Sequence, residues 1–167
     1  MDIDFRKIMG CTCLRMRRAT RRVTQLYDNV LEPAGLTINQ FGLLACLHGA
    51  ALARPEPPSI GTVAEWLGMD PTTLNRNLKP LIARGLVRSL PDPADRRVRI
   101  VRATDKGVRA LAKAVPLWQD AQAQVEKALG REATTALNDL LDLSSSTLRP
   151  AAELPEASRP KGYSPRR

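Results

Sequence analysis

SIGTVAEWLGMDPTTLNRNLKPLIARGLVRSLPDPADRRVRIVRATDKG, residues 59–107, decides the reading of this chain. It divides into a short helix, a turn, a second helix and a charged hairpin. Ser59 is placed to cap the first helix, because a hydroxyl accepts from an orphan N–H of the first turn. Ile60, Val63, Ala64 and Leu67 follow at i, i+3, i+4 and i+7, which makes one apolar face. Gly68 supplies the left-handed residue that ends a helix. Asp70 caps the next helix with Pro71 in its first turn, where a missing N–H costs little. Leu74, Leu78, Leu81 and Ile82 are expected to form its buried stripe. Thr72, Thr73, Asn75, Arg76 and Lys79 take the other face. Gly85 ends the helix, and Pro80 is expected to loosen its last turn.

Leu86–Arg88 and Val98–Val101 have the alternating or β-branched character of strands. The intervening LPDPADRR is a turn whose tip holds Asp92, Asp95, Arg96 and Arg97. Arginines on a protruding loop can enter a narrow minor groove, where negative potential concentrates. Asp95 is expected to orient Arg97 through a local ion pair. Hydrogen-bonding side chains at the start of a second helix, followed by a basic hairpin, fit duplex DNA. The candidate DNA contacts are Pro71, Thr72, Thr73, Asn75, Arg76, Lys79, Asp95, Arg96 and Arg97.

These three elements resemble the winged helix-turn-helix of MarR-family transcriptional regulators. The resemblance rests on Asp70-Pro71-Thr72-Thr73-Leu74-Asn75-Arg76-Asn77-Leu78, then Leu81 and Arg84-Gly85-Leu86-Val87. It continues with Asp95-Arg96-Arg97, a strand, and Thr104-Asp105-Lys106-Gly107. Ala103 stands where the family has leucine before the threonine. The resemblance covers roughly residues 13–148. It implies a fold that is mainly α with a small β-hairpin wing, flanked by N- and C-terminal dimerisation helices. It also implies a homodimer on a pseudo-palindromic operator, released by a small molecule or an oxidant.

The flanks suit that arrangement. Thr12–Leu31 reads as a helix with Leu14, Val23, Leu26, Tyr27, Val30 and Leu31 on one face and arginines in its first half. Thr37 caps a further helix with Phe41, Leu44, Ala45 and Leu47 inward, and a proline-rich loop, ARPEPPS, follows it. After Thr104 a long helix carries Val108, Leu111, Ala112, Val115, Trp118, Gln122, Val125 and Leu129, with Pro116 expected to bend it. Gly130 breaks the chain before an amphipathic helix, 131–148, with Ala133, Leu137, Leu140, Leu141 and Leu148. Helices this apolar need a partner, and a second copy is the natural one. The expected organisation is a flexible N-terminus (1–10) and one domain (11–148). Within that domain lie the DNA-binding lobe (37–107) and dimerisation helices (11–34 and 108–148). A disordered basic tail, 149–167, ends the chain.

The bulk properties agree. The 167 residues carry a formal net charge of +9, which favours a polyanionic partner. Two Phe, two Tyr and two Trp are too few for a single-strand or RNA stacking platform. No stretch is apolar enough to span a bilayer, and MDIDFRKIMG lacks a signal-peptide core, so a cytoplasmic protein without membrane partners is expected. His48 is the only histidine, and no nucleophile–base set, phosphate loop or zinc spacing is present. Neither enzyme chemistry nor a metal or other cofactor is expected.

Cys11 and Cys13 flank Thr12 at the start of the first long helix, and Cys46 lies in the next. Residues two apart point to opposite sides of a helix, so an internal Cys11–Cys13 disulfide requires unwinding there, while a disulfide between subunits is open if the first helices meet across the dimer axis. Nearby arginines favour thiolate, which makes the pair a candidate redox sensor. For a small effector, many members of the family answer to aromatic carboxylates or phenols, and Arg15, Arg18 and Trp118 are the candidate contacts. Three functions follow: a ligand-released repressor, a thiol-based regulator, and an effector-free architectural DNA-binding protein, whose warrant is the charge and basic tail.

Overall fold

The computed structural model describes residues 4–148; the expected tail, 149–167, lies outside the described residues. The elements in order are α1 (Phe5–Met9), α2 (Thr12–Leu31), a 3-10 turn (Glu32–Ala34), α3 (Ile38–Ala53), α4 (Ile60–Trp66), α5 (Pro71–Ala83), β1 (Val87–Pro91), β2 (Arg99–Ala103), α6 (Asp105–Leu129) and α7 (Arg131–Thr147). The chain forms two compact units that divide between Gln122 and Ala123. α1 occupies part of the segment expected to be flexible.

Local chemistry explains where the helices of the first unit begin. Thr37 and Gln40 form a capping box: the threonine hydroxyl accepts from the Gln40 amide (3.3 Å), and the Gln40 side chain accepts from the Thr37 amide (3.3 Å). Asp28 Oδ1 accepts from the Ile38 amide at 2.7 Å, which ties α2 to the start of α3. Ser59 accepts from the Thr62 amide at 3.0 Å. The ends of α4 and α5 share one solution. Gly68 (φ +59°) and Gly85 (φ +70°) turn left-handed. The next amides, Met69 and Leu86, then reach back to the carbonyls of Ala64 (2.8 Å) and Leu81 (2.9 Å).

β1 and β2 pair antiparallel, from Val87 opposite Ala103 to Pro91 opposite Arg99. β1 runs further toward the tip than expected and takes in Leu90 and Pro91, whereas β2 starts one residue later than expected and runs on to Ala103. The sequence reading also missed a third participant. The Val101 amide donates to the Pro58 carbonyl (3.0 Å), and Ser59 bridges Ile100. The end of the proline-rich loop therefore covers part of the outer edge of β2, an edge that would otherwise expose unpaired backbone groups.

One core joins these elements. Leu31, Leu44, Leu47, Val63, Leu74, Leu78, Leu81 and Val101 are almost wholly removed from water. Each such side chain contributes about 1.5–3 kcal/mol by burial. The expected stripe of α5 is correct for its leucines and wrong for Ile82, which is 40% exposed. On α6 the inward positions are Leu111, Ala114 and Ala121, and Ala112 faces solvent. A small shift of the helical stripe accounts for both corrections, because alanine and isoleucine mark a face less decisively than leucine. α6 continues through Pro116 without a break.

In the second unit, Gly130 (φ +85°) separates α6 from α7. The Thr134 amide and hydroxyl both donate to the Gly130 carbonyl, at 3.0 and 2.9 Å. Leu137, Leu140, Leu141 and Leu143 of α7 are 41–60% exposed. No single helix among the described residues is long and apolar enough to cross a membrane.

Candidate nucleic-acid interface

The cap of α5 organises the face proposed to read bases. Asp70 Oδ1 accepts from the Thr73 amide (2.9 Å), and its second oxygen accepts from the Thr73 hydroxyl. These bonds, the hydroxyl first, hold the Asp70 carboxyl below its ordinary pKa. Thr73 therefore spends its hydroxyl hydrogen on the cap, and what remains for a ligand is an acceptor. Pro71, Thr72, Asn75, Arg76 and Lys79 are exposed, while Leu74 and Leu78 on the opposite side are buried. Asn77 Nδ2 donates to the Thr73 carbonyl (3.2 Å), which engages the one remaining amide side chain of this helix. The exposed face thus offers hydroxyl, amide and guanidinium groups within the first turns, the chemistry that matches base edges.

The hairpin tip is shaped by two aspartates. Asp92 Oδ1 accepts from the Ala94 amide (2.7 Å), and Asp95 Oδ1 accepts from the Arg97 amide (2.9 Å). Both are side-chain turns two residues wide. The Val98 amide then returns to the Asp95 carbonyl (2.9 Å), and the Asp92 amide to the Val98 carbonyl (2.9 Å). This corrects the expected ion pair: Asp95 fixes Arg97 through its backbone. The short aspartate side chain bonds most readily to an amide two residues on, and the turn places that amide in reach. Arg96 and Arg97 stay exposed. Arg99, at the base of the tip, instead reaches across the hairpin to the Ser89 carbonyl (2.9 Å) and hydroxyl (3.3 Å).

The expected effector residues do not come together within the chain. Arg15 and Arg18 line a surface hollow with Met9, Ala19 and Arg22. Trp118 is absent from that lining and stacks on Phe41, centroids 5.9 Å apart and planes 12° from parallel. Nearby in the same unit the Tyr27 hydroxyl donates to Gln122 Oε1 at 2.6 Å. Cys11 and Cys13 are both exposed. Cys11 is the residue before α2, with φ −58° and ψ 122°, so only Cys13 belongs to the helix. Cys46 is partly buried, and burial pushes its thiol pKa up. Among the described residues no group of histidine, cysteine or carboxylate side chains could hold a metal ion.

Comparison with known proteins adds four findings. A profile described as the MarR family matches residues 34–98. The HTH-type transcriptional repressor NicR of Pseudomonas putida is 32% identical over 103 residues, which span 60% of this chain and 61% of the relative, short of two thirds of its length. The multiple antibiotic resistance protein MarR of Escherichia coli is 29% identical over 118 residues, 70% of this chain and 78% of that protein. Among solved structures, the M. tuberculosis transcriptional regulator MosR in complex with DNA aligns with a TM-score of 0.71 and 36% identity. That alignment covers 86% of this chain and 99% of the other.

Proposed function

The chain belongs to the MarR family of winged helix-turn-helix, DNA-binding transcriptional regulators, and from that premise we propose that it is a homodimeric repressor released from a pseudo-palindromic operator by a small organic acid. The observation that carries this reading is the joint exposure of Thr72, Asn75 and Arg76 on a capped helix and of Arg96 and Arg97 on a braced hairpin tip. Arg76 and Asn75 read base edges in the major groove. Arg97 enters the flanking minor groove. Exposed leucines on α7 are the surface a second copy covers. Release is a population shift: an effector that favours another spacing of the two recognition helices weakens binding to successive grooves.

The test is fluorescence anisotropy on the DNA upstream of the protein's own gene against scrambled DNA, at several salt concentrations. Preference for the upstream DNA, with a moderate salt slope, supports a specific regulator. A specificity ratio near one, with a steep slope, identifies an architectural protein instead.

The placement of Cys11 favours a second reading, in which the thiols are the sensor. Cys11 lies outside the helix, so bringing the two sulfurs together disturbs only the first turn of α2, less than the unwinding the sequence implied. Peroxide would oxidise one exposed thiol to a sulfenic acid, with loss of water. The second thiol would then displace water to form the disulfide. Peroxide that releases DNA from the parent but not from a Cys11→Ser, Cys13→Ser variant establishes this reading; equal release from both removes it.

A further inference from the structure

We propose that the outer side of α2 is a second surface for the phosphates of duplex DNA, separate from α5 and the hairpin, and that it lets the protein hold two duplexes at once. This rests on the DNA-binding reading above and adds a second duplex to it.

Residues 12–27 hold Arg15, Arg17, Arg18, Arg21 and Arg22 and no aspartate or glutamate. All five arginines are exposed. Arg15 and Arg18, Arg18 and Arg22, and Arg17 and Arg21 stand three or four positions apart, so each pair repels along the helix. The run also occupies the first half of α2, the end where the helix dipole favours anions, and no acidic residue stands in its first turn. Both effects work against the helix. Departures of this kind from local helix preference are expected at functional sites.

The geometry suits a polyanion. Tyr27 and Leu31 of α2 are buried. At about 3.6 residues per turn, Arg15, Arg18 and Arg22 fall on the opposite side of the helix. They line one hollow of about 420 Å³ with Met9 and Ala19, and no acid is in that lining. From Arg15 to Arg22 the helix rises about 10 Å, a length over which one strand of a duplex presents about three phosphates. A guanidinium matches a phosphate through parallel N–H donors. A second copy of the chain suits the stripe poorly, because covering it would take several guanidiniums out of water. α2 joins the core of this unit at Leu31. The three arginines stand about 13–24 Å along the helix from that point, which sets them apart from the base-reading helix packed in the same core.

The experiment is a bridging assay with the full chain. DNA from upstream of the protein's own gene is immobilised and saturated with protein, and a fluorescent duplex of scrambled sequence is then added. The parent should retain the fluorescent duplex, with retention falling steeply as salt rises. An Arg15→Gln, Arg18→Gln, Arg22→Gln variant should lose retention roughly tenfold or more and keep parent-like affinity for the immobilised DNA. Its salt slope for the scrambled duplex should fall by roughly 2–3. The corresponding triple lysine variant should keep most of the retention, since the charge remains. Circular dichroism melts check folding, and the glutamine variant should melt no lower than the parent because repelling charges are gone. No retention by the parent, or equal retention by the glutamine variant, overturns the proposal. A glutamine variant that turns monomeric in light scattering assigns the stripe to contact between copies instead. Tighter binding to phosphatidylserine vesicles than to the scrambled duplex assigns it to a lipid surface. Preference for the upstream DNA without retention removes the second surface and leaves the regulator, whereas retention without preference does the reverse.

Discussion

Gly107 and the Leu86 carbonyl are so close that a Cβ on Gly107 would stand 2.1 Å from the Leu86 oxygen. The approach exists because Thr104 pins the start of α6 to the end of α5 and the start of β1. Its hydroxyl donates to the Gly85 carbonyl (2.7 Å), and its amide donates to the Leu86 carbonyl (3.0 Å). Gly107→Ala must push α6 off β1, with an expected cost of about 1–3 kcal/mol or more. Gly49, exposed inside α3, has nothing within 4 Å of its Cβ position. Gly49→Ala should stabilise by about 0.5–1 kcal/mol. Urea denaturation of the two variants checks the contrast, and a neutral Gly107→Ala would refute the close approach.

Asp70 should confer a pH dependence on stability. Its folded-state pKa lies below the ordinary aspartate value because the Thr73 hydroxyl and amide favour the carboxylate. The unfolded chain therefore binds the proton more readily. The stabilisation is present above the ordinary aspartate value and is lost as the pH falls through the lowered one. Asp70→Asn keeps an acceptor for the helix start and lacks that titration. Thermal melts between neutral and strongly acidic pH should show the parent losing its advantage over Asp70→Asn in that window. A constant difference would rule it out.

The two arms of the proposed DNA interface should fail differently. Arg76→Ala should cost about 1–3 kcal/mol on the preferred site and relax discrimination at one base position. Arg97→Ala should weaken binding with little loss of major-groove discrimination and a shallower salt dependence. Anisotropy titrations over a set of single-base variants measure both. Unchanged affinity in Arg97→Ala would end the minor-groove assignment.

Asp95→Ala tests whether the wing must be shaped as well as charged. The substitution adds one net positive charge, which by itself would raise DNA affinity. It also removes the bond to the Arg97 amide. The expected result is weaker specific binding with an unchanged melting temperature, since the tip is exposed. Tighter specific binding would show that charge alone matters.

The exposed leucines of α7 bear on assembly. Leu140→Asp with Leu141→Asp should shift the protein from dimer to monomer in size-exclusion chromatography with light scattering, and DNA affinity should fall with it. A variant that remains dimeric would place the interface elsewhere.

Residues 59–107 declared most of the fold because each signal there is local. Ser59, Asp70, Gly68 and Gly85 act within a few bonds of themselves, and the leucines of α5 repeat at a period that only a helix satisfies. The exposed polar face of α5, proposed above to read bases, was legible for the same reason, as the complement of that stripe. Tertiary structure decided what depends on neighbours distant in sequence. Pro58 pairs with β2 across more than forty positions, Arg84 reaches back to Gly35, and Trp118 lies on Phe41 instead of beside Arg15 and Arg18. No pattern along the chain encodes such meetings, because they are set by how the helices pack.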